Sequence, residues 1–371
     1  MDTETFPTEF RSIHKRILQI DPIEYSKTRH YLKGYTSKIS PYLTHGVVST
    51  KEVAYTVLHR YNKQKAYSFI FELAWREYYY IIWNHLKNII EEDIDQEQTG
   101  VIHKKMIKNI LNTSTGIKVI DNAITRLHKE GYIHNKERTW IASLVCNIGK
   151  SHWKLPSKWM YYYLLDGDIA SNTLNWQNIA GTFDSSKIYF NQAEINKYSD
   201  SQQFETFIDK PIKELKTIRV PKELQDLEKD FELATQLPKS EIIELDPAAP
   251  ILLYSIWNLN PNWRKEEIEA QRILVLEPSH FNKYPISPQR VEFILSLAKN
   301  IPNLKLFVGE INELKGLNRS KNVASIQHPT TEHWPGKKDK PELFFEQVNN
   351  KLRSFTDFWE EAQKFFDELS L

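Results

Sequence analysis

Four segments of this 371-residue sequence combine charged, amide and aromatic groups at spacings that could do chemistry. In Phe71–Tyr78, residues Glu72, Trp75 and Arg76 stand at i, i+3 and i+4, so a helix puts them on one face. The indole offers a stacking plate and the guanidinium a fixed cation. A partly buried glutamate there can keep its proton, because desolvation disfavours its charge. In Gly131–Arg138, Asn135 and Arg138 are three apart and again face the same way. In Asp166–Asn172, two carboxylates flank Gly167, and Asn172 lies one helical turn from Asp168. Such groups suit hydrogen bonds to a ribose or a ring N–H. In Tyr35–Leu43, the hydroxyls of Thr36, Ser37 and Ser40, with Lys38 beside them, suit a phosphate held at a helix start. Each segment also has a plainer reading: a salt-bridged helix face, a tight turn at a helix end, a capped loop.

Composition narrows the chemistry. The single cysteine, Cys146, excludes internal disulfides, a cysteine-based zinc site and an iron–sulfur cluster. The twelve histidines are scattered and no His-Glu-x-x-His occurs, so no metal is expected. Gly-x-Gly-x-x-Gly and the phosphate-loop pattern are absent, which argues against an ordinary dinucleotide or NTP binder. The amino-terminal residues lack the apolar stretch of a signal peptide, and no 18-residue apolar run exists, so a cytoplasmic protein with no membrane span is expected. Net charge is +1, but residues 101–150 hold nine basic and three acidic residues, compatible with an anionic partner. Ten tryptophans are many, and a large packed core is their plain explanation.

The elements that must position these groups read as helices through residue 200. Apolar residues recur at three and four from Ala66 to Leu86, without Gly or Pro. Ile117–Leu127 repeats the period and Gly131 stops it. Arg138–Ile148 and Trp159–Leu165 are further helix candidates, and Ser49 with Glu52 forms a capping-box start. Residues 201–248 read as a linker with a short helix at Lys222–Leu233. Beyond it, short apolar runs at 251–256, 272–276, 304–308 and 324–326 alternate with a helical stretch from Arg290 to Asn300, implying a small parallel α/β sheet within 249–371. Glu342–Leu369 reads as one or two amphipathic helices.

Taken in order, Tyr25 with Arg29, Thr36-Ser37-Lys38-Ile39-Ser40-Pro41, Glu72–Glu77, His134–Arg138, Asp166–Asp168 and Asn175–Gln177 resemble the flavin-binding helical domain of the DNA photolyase/cryptochrome family. The resemblance runs from about Tyr25 to Tyr198. It implies an α-rich, multi-domain chain: a helical FAD-binding domain at 1–200, then a small Rossmann-like α/β domain. It implies FAD folded into a U, surrounded by Tyr25, Thr36, Ser37, Lys38, Ser40, Arg76, Arg138, Asp166, Asp168 and Asn172, with Asn172 facing the flavin N5. It further implies blue-light-driven repair of UV-damaged DNA, in which an electron from reduced flavin splits a flipped-out pyrimidine dimer. Glu72 would contact the lesion, Trp75 would stack on it and Asn135 would hydrogen-bond. Trp176 and Trp153 match the inner and middle members of the family's electron-transfer chain.

The sequence departs from the family in four places. A lesion-stacking Trp is replaced by Asn178, a pocket Met by Thr139, and the outer relay Trp, expected near Gly100, is missing. One aromatic plate is worth ~1–3 kcal/mol, so the first two changes weaken the grip on a dimer. They motivate the alternative of a cryptochrome-like photoreceptor without repair. The fourth is order. The family's α/β antenna domain precedes the helices, whereas here an α/β segment follows them, which suggests a circular permutation. Residues 251–335 are short for a whole antenna domain, which argues against a bound antenna pigment.

Overall fold

The computed structural model describes residues 5–183, 186–348 and 354–370. In chain order the α-helices are α1 (Phe10–Leu18), α2 (Pro22–Thr28), α3 (Ser40–Thr44), α4 (Thr50–Leu58), α5 (Lys63–Leu86), α6 (Lys108–Leu111), α7 (Lys118–Glu130), α8 (Asn135–Ser143), α9 (Lys154–Tyr163), α10 (Ile169–Ala180), α11 (Gln192–Ser199), α12 (Ile212–Leu215), α13 (Pro278–Lys283), α14 (Pro288–Ala298) and α15 (Phe355–Glu368). The strands are β1 (Ile251–Tyr254), β2 (Gln271–Leu276), β3 (Leu304–Val308), β4 (Val323–Ile326) and β5 (Lys337–Asp339). They divide between two compact units. The first is built from Ile23–Thr36 and Tyr79–Leu233; the second gathers the described residues of 2–22, 37–78 and 234–371.

The first unit is helical because its apolar residues recur with helical period. In α7, Ile120, Ala123, Ile124 and Leu127 are buried on one stripe. Gly131 then ends the helix at φ +68°, a left-handed conformation that costs glycine nothing. Its carbonyl accepts the Leu165 N–H at 2.8 Å, which ties the loop before α8 to the loop before α10. The helix expected over Arg138–Ile148 is α8 followed by a buried π-turn, Leu144–Ile148. Asn147 in that turn donates to the carbonyls of Ile179 and Ile188, satisfying backbone that a continuous helix end would leave bare. Cys146 lies in the same turn, and burial pushes its thiol far up, so it is inert.

Residues 201–233 carry little regular structure, yet Ile208, Leu215 and Leu224 are buried in the helical core. The helix expected at Lys222–Leu233 is only a 3-10 turn, Lys222–Leu224. Leu227 instead bridges antiparallel to Ile107, with the Glu228 N–H on the Met106 carbonyl at 2.8 Å. A partner strand won over local propensity.

The second unit contains a five-stranded parallel sheet in the order β3-β2-β1-β4-β5. The run beginning at Ile251 is its central strand, paired with β2 on one side and β4 on the other. Both faces are covered, so β1 and β2 read as near-continuous apolar runs. The edge strand β5 had no hydrophobic signal. Its sequence is Lys-Lys-Asp, and it is held by pairing with β4 and by a forked Arg264–Asp339 ion pair at 2.6 and 3.0 Å. Charged, short edges of this kind resist further strand addition.

One buried carboxylate organises the rest of the second unit. Glu77 on α5 is 1% exposed. It accepts the backbone N–H groups of Phe344 and Phe345 at 2.7 and 2.9 Å and the hydroxyl of Thr50. Phe344 and Phe345 thereby lodge in the core, and Phe345 packs edge-on against Phe358 of α15. Burial pushes the Glu77 carboxyl from 4.5 to about 7, against the opposing pull of these three donors. A carboxyl with a raised folded-state pKa contributes stability that is complete below 4.5 and is lost as pH rises through about 7. In urea unfolding, raising the pH from 4.5 to 8 should cost the wild type on the order of 3 kcal/mol relative to Glu77→Gln. A difference between the two proteins that does not vary with pH contradicts this.

Candidate flavin site

In the first unit, residues from α8, α9, α10 and the loop before α10 line an open cleft whose space, solvent at its mouth included, is about 460 Å³. Its polar wall includes Asn135, Arg138, Asp166, Asp168, Asn172 and Asn175. Its apolar wall includes Met160, Leu164, Trp176 and Ile179. Five of the residues singled out from sequence for cofactor or lesion contact therefore meet in one cavity, with Trp176 forming part of its side.

The local sequence explains why these groups converge. His134 caps α8: its Nδ1 accepts the Lys136 N–H at 3.1 Å, and Glu137 reaches back to the His134 N–H at 3.0 Å. This capping box fixes the helix start, so Asn135 and Arg138 emerge on one face. The other edge of the His134 ring donates to the Arg29 carbonyl at 2.9 Å, and burial pulls its pKa down to about 4, so the ring is neutral. Glu137, itself buried, is paired with Arg126.

Arg138 makes a two-oxygen contact to Asp166 at 3.0 and 2.9 Å and donates twice to the Ile133 carbonyl at 3.1 Å. Burial works against the Arg138 charge, but Asp166, with Tyr132 and Glu137, holds its pKa above the ordinary value. Asp168 has a different task. Its Oδ1 accepts the Ser171 N–H at 2.7 Å and caps α10, as a carboxylate at a helix end should. Asn172 donates its Nδ2 to the Ser157 carbonyl at 2.9 Å, which leaves the amide oxygen as its acceptor along the cleft. This donor set fits a flavin: a fixed cation, a carbonyl acceptor, a second carboxylate and an apolar wall. Arg138 would lie near the charge of a reduced ring, Asn172 near an N–H, and the apolar wall against the ring face.

The remaining residues are not among those lining this cleft. Tyr25 is in the first unit, with the Arg29 guanidinium 5.7 Å from its ring centroid. Thr36 ends that segment. Ser37, Lys38, Ser40, Glu72, Trp75 and Arg76 belong to the second unit. Lys38 takes a left-handed backbone, φ +51°, just before α3. The helix start expected to aid a phosphate is real, but α3 has only five residues, so its dipole is small. Arg76 donates to the Thr44 hydroxyl at 2.7 Å.

Trp75 does not stand as an open plate. Phe355, the first residue of α15, stacks on it with ring centroids 3.5 Å apart and planes 7° apart. Phe71 packs edge-on against both Phe355 and Trp359. Trp359 donates its indole N–H to the Tyr67 hydroxyl at 3.2 Å. Sequence reasoning missed Phe355 and Glu77. The signal for the first was Ser354-x-x-Asp357, a capping box opening an aromatic-rich helix. Glu77 sat in full view beside Arg76, but no pattern announced its partners.

Trp153 lies outside the cleft and is 1% exposed. Trp140 and Trp159 are also buried, their indole nitrogens without hydrogen-bond partners among the described residues, as core packing would have it.

The two aspartates should separate experimentally. Asp166→Asn leaves a largely buried guanidinium unpaired and should lower unfolding stability by ~3 kcal/mol. Asp168→Ala removes one helix cap and should cost ~1 kcal/mol. Equal losses in urea titrations would contradict the assigned roles.

The chain is similar to known proteins over about half of its length. Residues 69–246 match the FAD binding domain of DNA photolyase. The chain is 28% identical over 201 residues to cryptochrome DASH of Natronomonas pharaonis, covering 50% of this chain and 42% of that protein. It is 30% identical over 154 residues to the deoxyribodipyrimidine photo-lyase of Streptomyces griseus, covering 40% and 32%. The crystal structure of a Synechocystis cryptochrome aligns with a TM-score of 0.47 at 24% identity, over 51% of this chain and 43% of that one. The chain thus spans less than half the length of these relatives. Over residues 69–246, just under half of its length, the chain matches the FAD-binding helical domain of the photolyase/cryptochrome family.

Proposed function

We propose that the protein is a FAD-dependent blue-light flavoprotein whose output is sensory rather than repair of DNA. The cleft supports the flavin, because Asn135, Arg138, Asp166, Asp168 and Asn172 line one cavity beside Trp176. A flavin bound there supplies light absorption and one-electron chemistry. The chain's part is to hold it: Asp166 fixes the Arg138 charge, which favours an anionic reduced ring, and the Asn172 oxygen takes a ring N–H.

The observation that separates sensing from repair is the Phe355 ring on Trp75. A lesion base stacking there gains ~1–3 kcal/mol. Helix α15 buries Phe355, Phe358, Trp359 and Phe366, each worth about 1.5–3 kcal/mol. Stacking alone therefore does not displace the helix. The second reading, light-driven repair of UV photoproducts in DNA, draws support from Glu72, Trp75 and Asn135 being present, and from relatives named as photo-lyases. The central parallel position of β1 also supports reading the chain as a circular permutation, with the antenna-like domain moved to the carboxyl side.

Purified protein should show a flavin spectrum and be reducible by blue light. Mixed with oligonucleotides carrying a cyclobutane dimer or a six-four photoproduct, the illuminated wild type should give no turnover, and Phe355→Ala should bind the damaged strand more tightly. Turnover by the wild type on either lesion overturns the sensory reading in favour of repair.

A further inference from the structure

The missing outer tryptophan leaves a question that the first unit answers with different chemistry. Trp153 donates its indole N–H to Asp93 Oδ1 at 2.6 Å, a short contact for an N–H to a carboxylate. Asp93 is held for this contact. Its Oδ2 accepts the Gln98 backbone N–H at 2.8 Å. The Gln98 side chain, buried, accepts the Trp153 backbone N–H at 2.9 Å and donates to the Ser151 carbonyl at 2.9 Å. The loop carrying Asp93 and Gln98 thus grips Trp153 at both backbone and ring, just before Gly100, near which the outer tryptophan was expected.

An indole that gives up an electron becomes a far stronger acid at its N–H, comparable to a carboxylic acid. Left as a cation, it recovers the electron quickly. With a carboxylate already on the N–H, the proton can leave as the electron does. We propose that Asp93 is the proton acceptor that ends the electron path at Trp153, in place of an outer tryptophan. The electron would go from Trp153 to an oxidised Trp176 indole, once a bound, light-excited flavin had taken an electron from Trp176. The Trp153 N–H proton goes to Asp93. The products are a neutral indolyl radical and a protonated carboxyl; a soluble thiol later restores the indole by giving up a hydrogen atom, leaving a thiyl radical, and Asp93 returns its proton to water. His152 approaches the same oxygen, its Nε2 3.5 Å from Asp93 Oδ1 and its ring stacked near Trp153, with centroids 5.6 Å apart. Its Nδ1 accepts the Lys154 N–H at 3.3 Å, which assigns the ring proton to Nε2. His152 then donates toward Asp93 and does not compete for the proton. The pair is also reached by water, since the Asp93 side chain is 16% exposed while Trp153 is 1% exposed.

The proposal rests on the flavin reading, and two measurements keep the failures apart. In flavin-free protein, the Trp153 indole N–H resonance, assigned with Trp153→Phe, should lie far downfield and move upfield in Asp93→Asn; no movement overturns the hydrogen bond itself. In flavin-loaded protein, flash photolysis should show the neutral tryptophan radical in the wild type. Asp93→Asn should show the radical cation instead, with a several-fold lower yield of stable photoreduction and no dependence on heavy water. Asp93→Glu, which keeps a carboxylate, should recover the neutral radical. Photoreduction in Asp93→Asn equal to wild type, while Trp153→Phe loses it, overturns the role of Asp93 alone. Normal photoreduction in Trp153→Phe overturns Trp153 as the terminus. A purified protein that takes up no flavin overturns the functional reading and this proposal with it.

Discussion

The Arg138–Asp166 pair is the contact on which the first unit's cleft depends. A guanidinium of limited exposure and a nearly buried carboxylate are expensive to desolvate separately, so each requires the other. Pairing also fixes direction. Asp166 belongs to the loop before α10 and Arg138 to α8, so their contact sets the distance between the two polar walls of the cleft. The Gly131–Leu165 backbone bond and the His134–Glu137 capping box hold the same two segments from outside. Two weak local devices thus place one strong pair, and the strong pair presents its charge to a cavity that also has an apolar wall.

The second unit solves a different problem with a single buried carboxylate. Glu77 gathers two backbone N–H groups and a hydroxyl, and the chain that follows its partners leads to α15. That helix lays Phe355 on Trp75. A residue type chosen for stacking will stack on whatever aromatic ring is offered, and here the chain offers its own. The same indole therefore supports two functional readings, and the difference lies in what covers it rather than in the residue.

Much of this was legible beforehand. The helical stripes of α5 and α7, the Gly131 stop, the four apolar strands and the order of the polar motifs all follow from spacing and side-chain type. The central place of Ile251–Tyr254 is in keeping with its being apolar throughout, as a strand buried on both faces must be. What stayed hidden depended on partners distant in sequence. Lys337–Asp339 is a strand only because β4 lies beside it. Residues 222–228 abandon helix because Met106–Lys108 offers hydrogen bonds. Asp93 is unremarkable in an acidic loop until Trp153 is brought against it. Glu77 and Phe355 are separated by 278 positions, and no local period links them.

The central claim is that the cleft lined by Arg138, Asp166 and Asn172 holds FAD. Its most direct test is the flavin content of protein purified in the dark, followed by titration of flavin-free protein with FAD and read by flavin absorption. The account predicts stoichiometric, non-covalent FAD in the wild type and its loss when the Arg138–Asp166 pair is broken in a protein that remains folded. Folded wild-type protein that neither retains nor takes up FAD would contradict it.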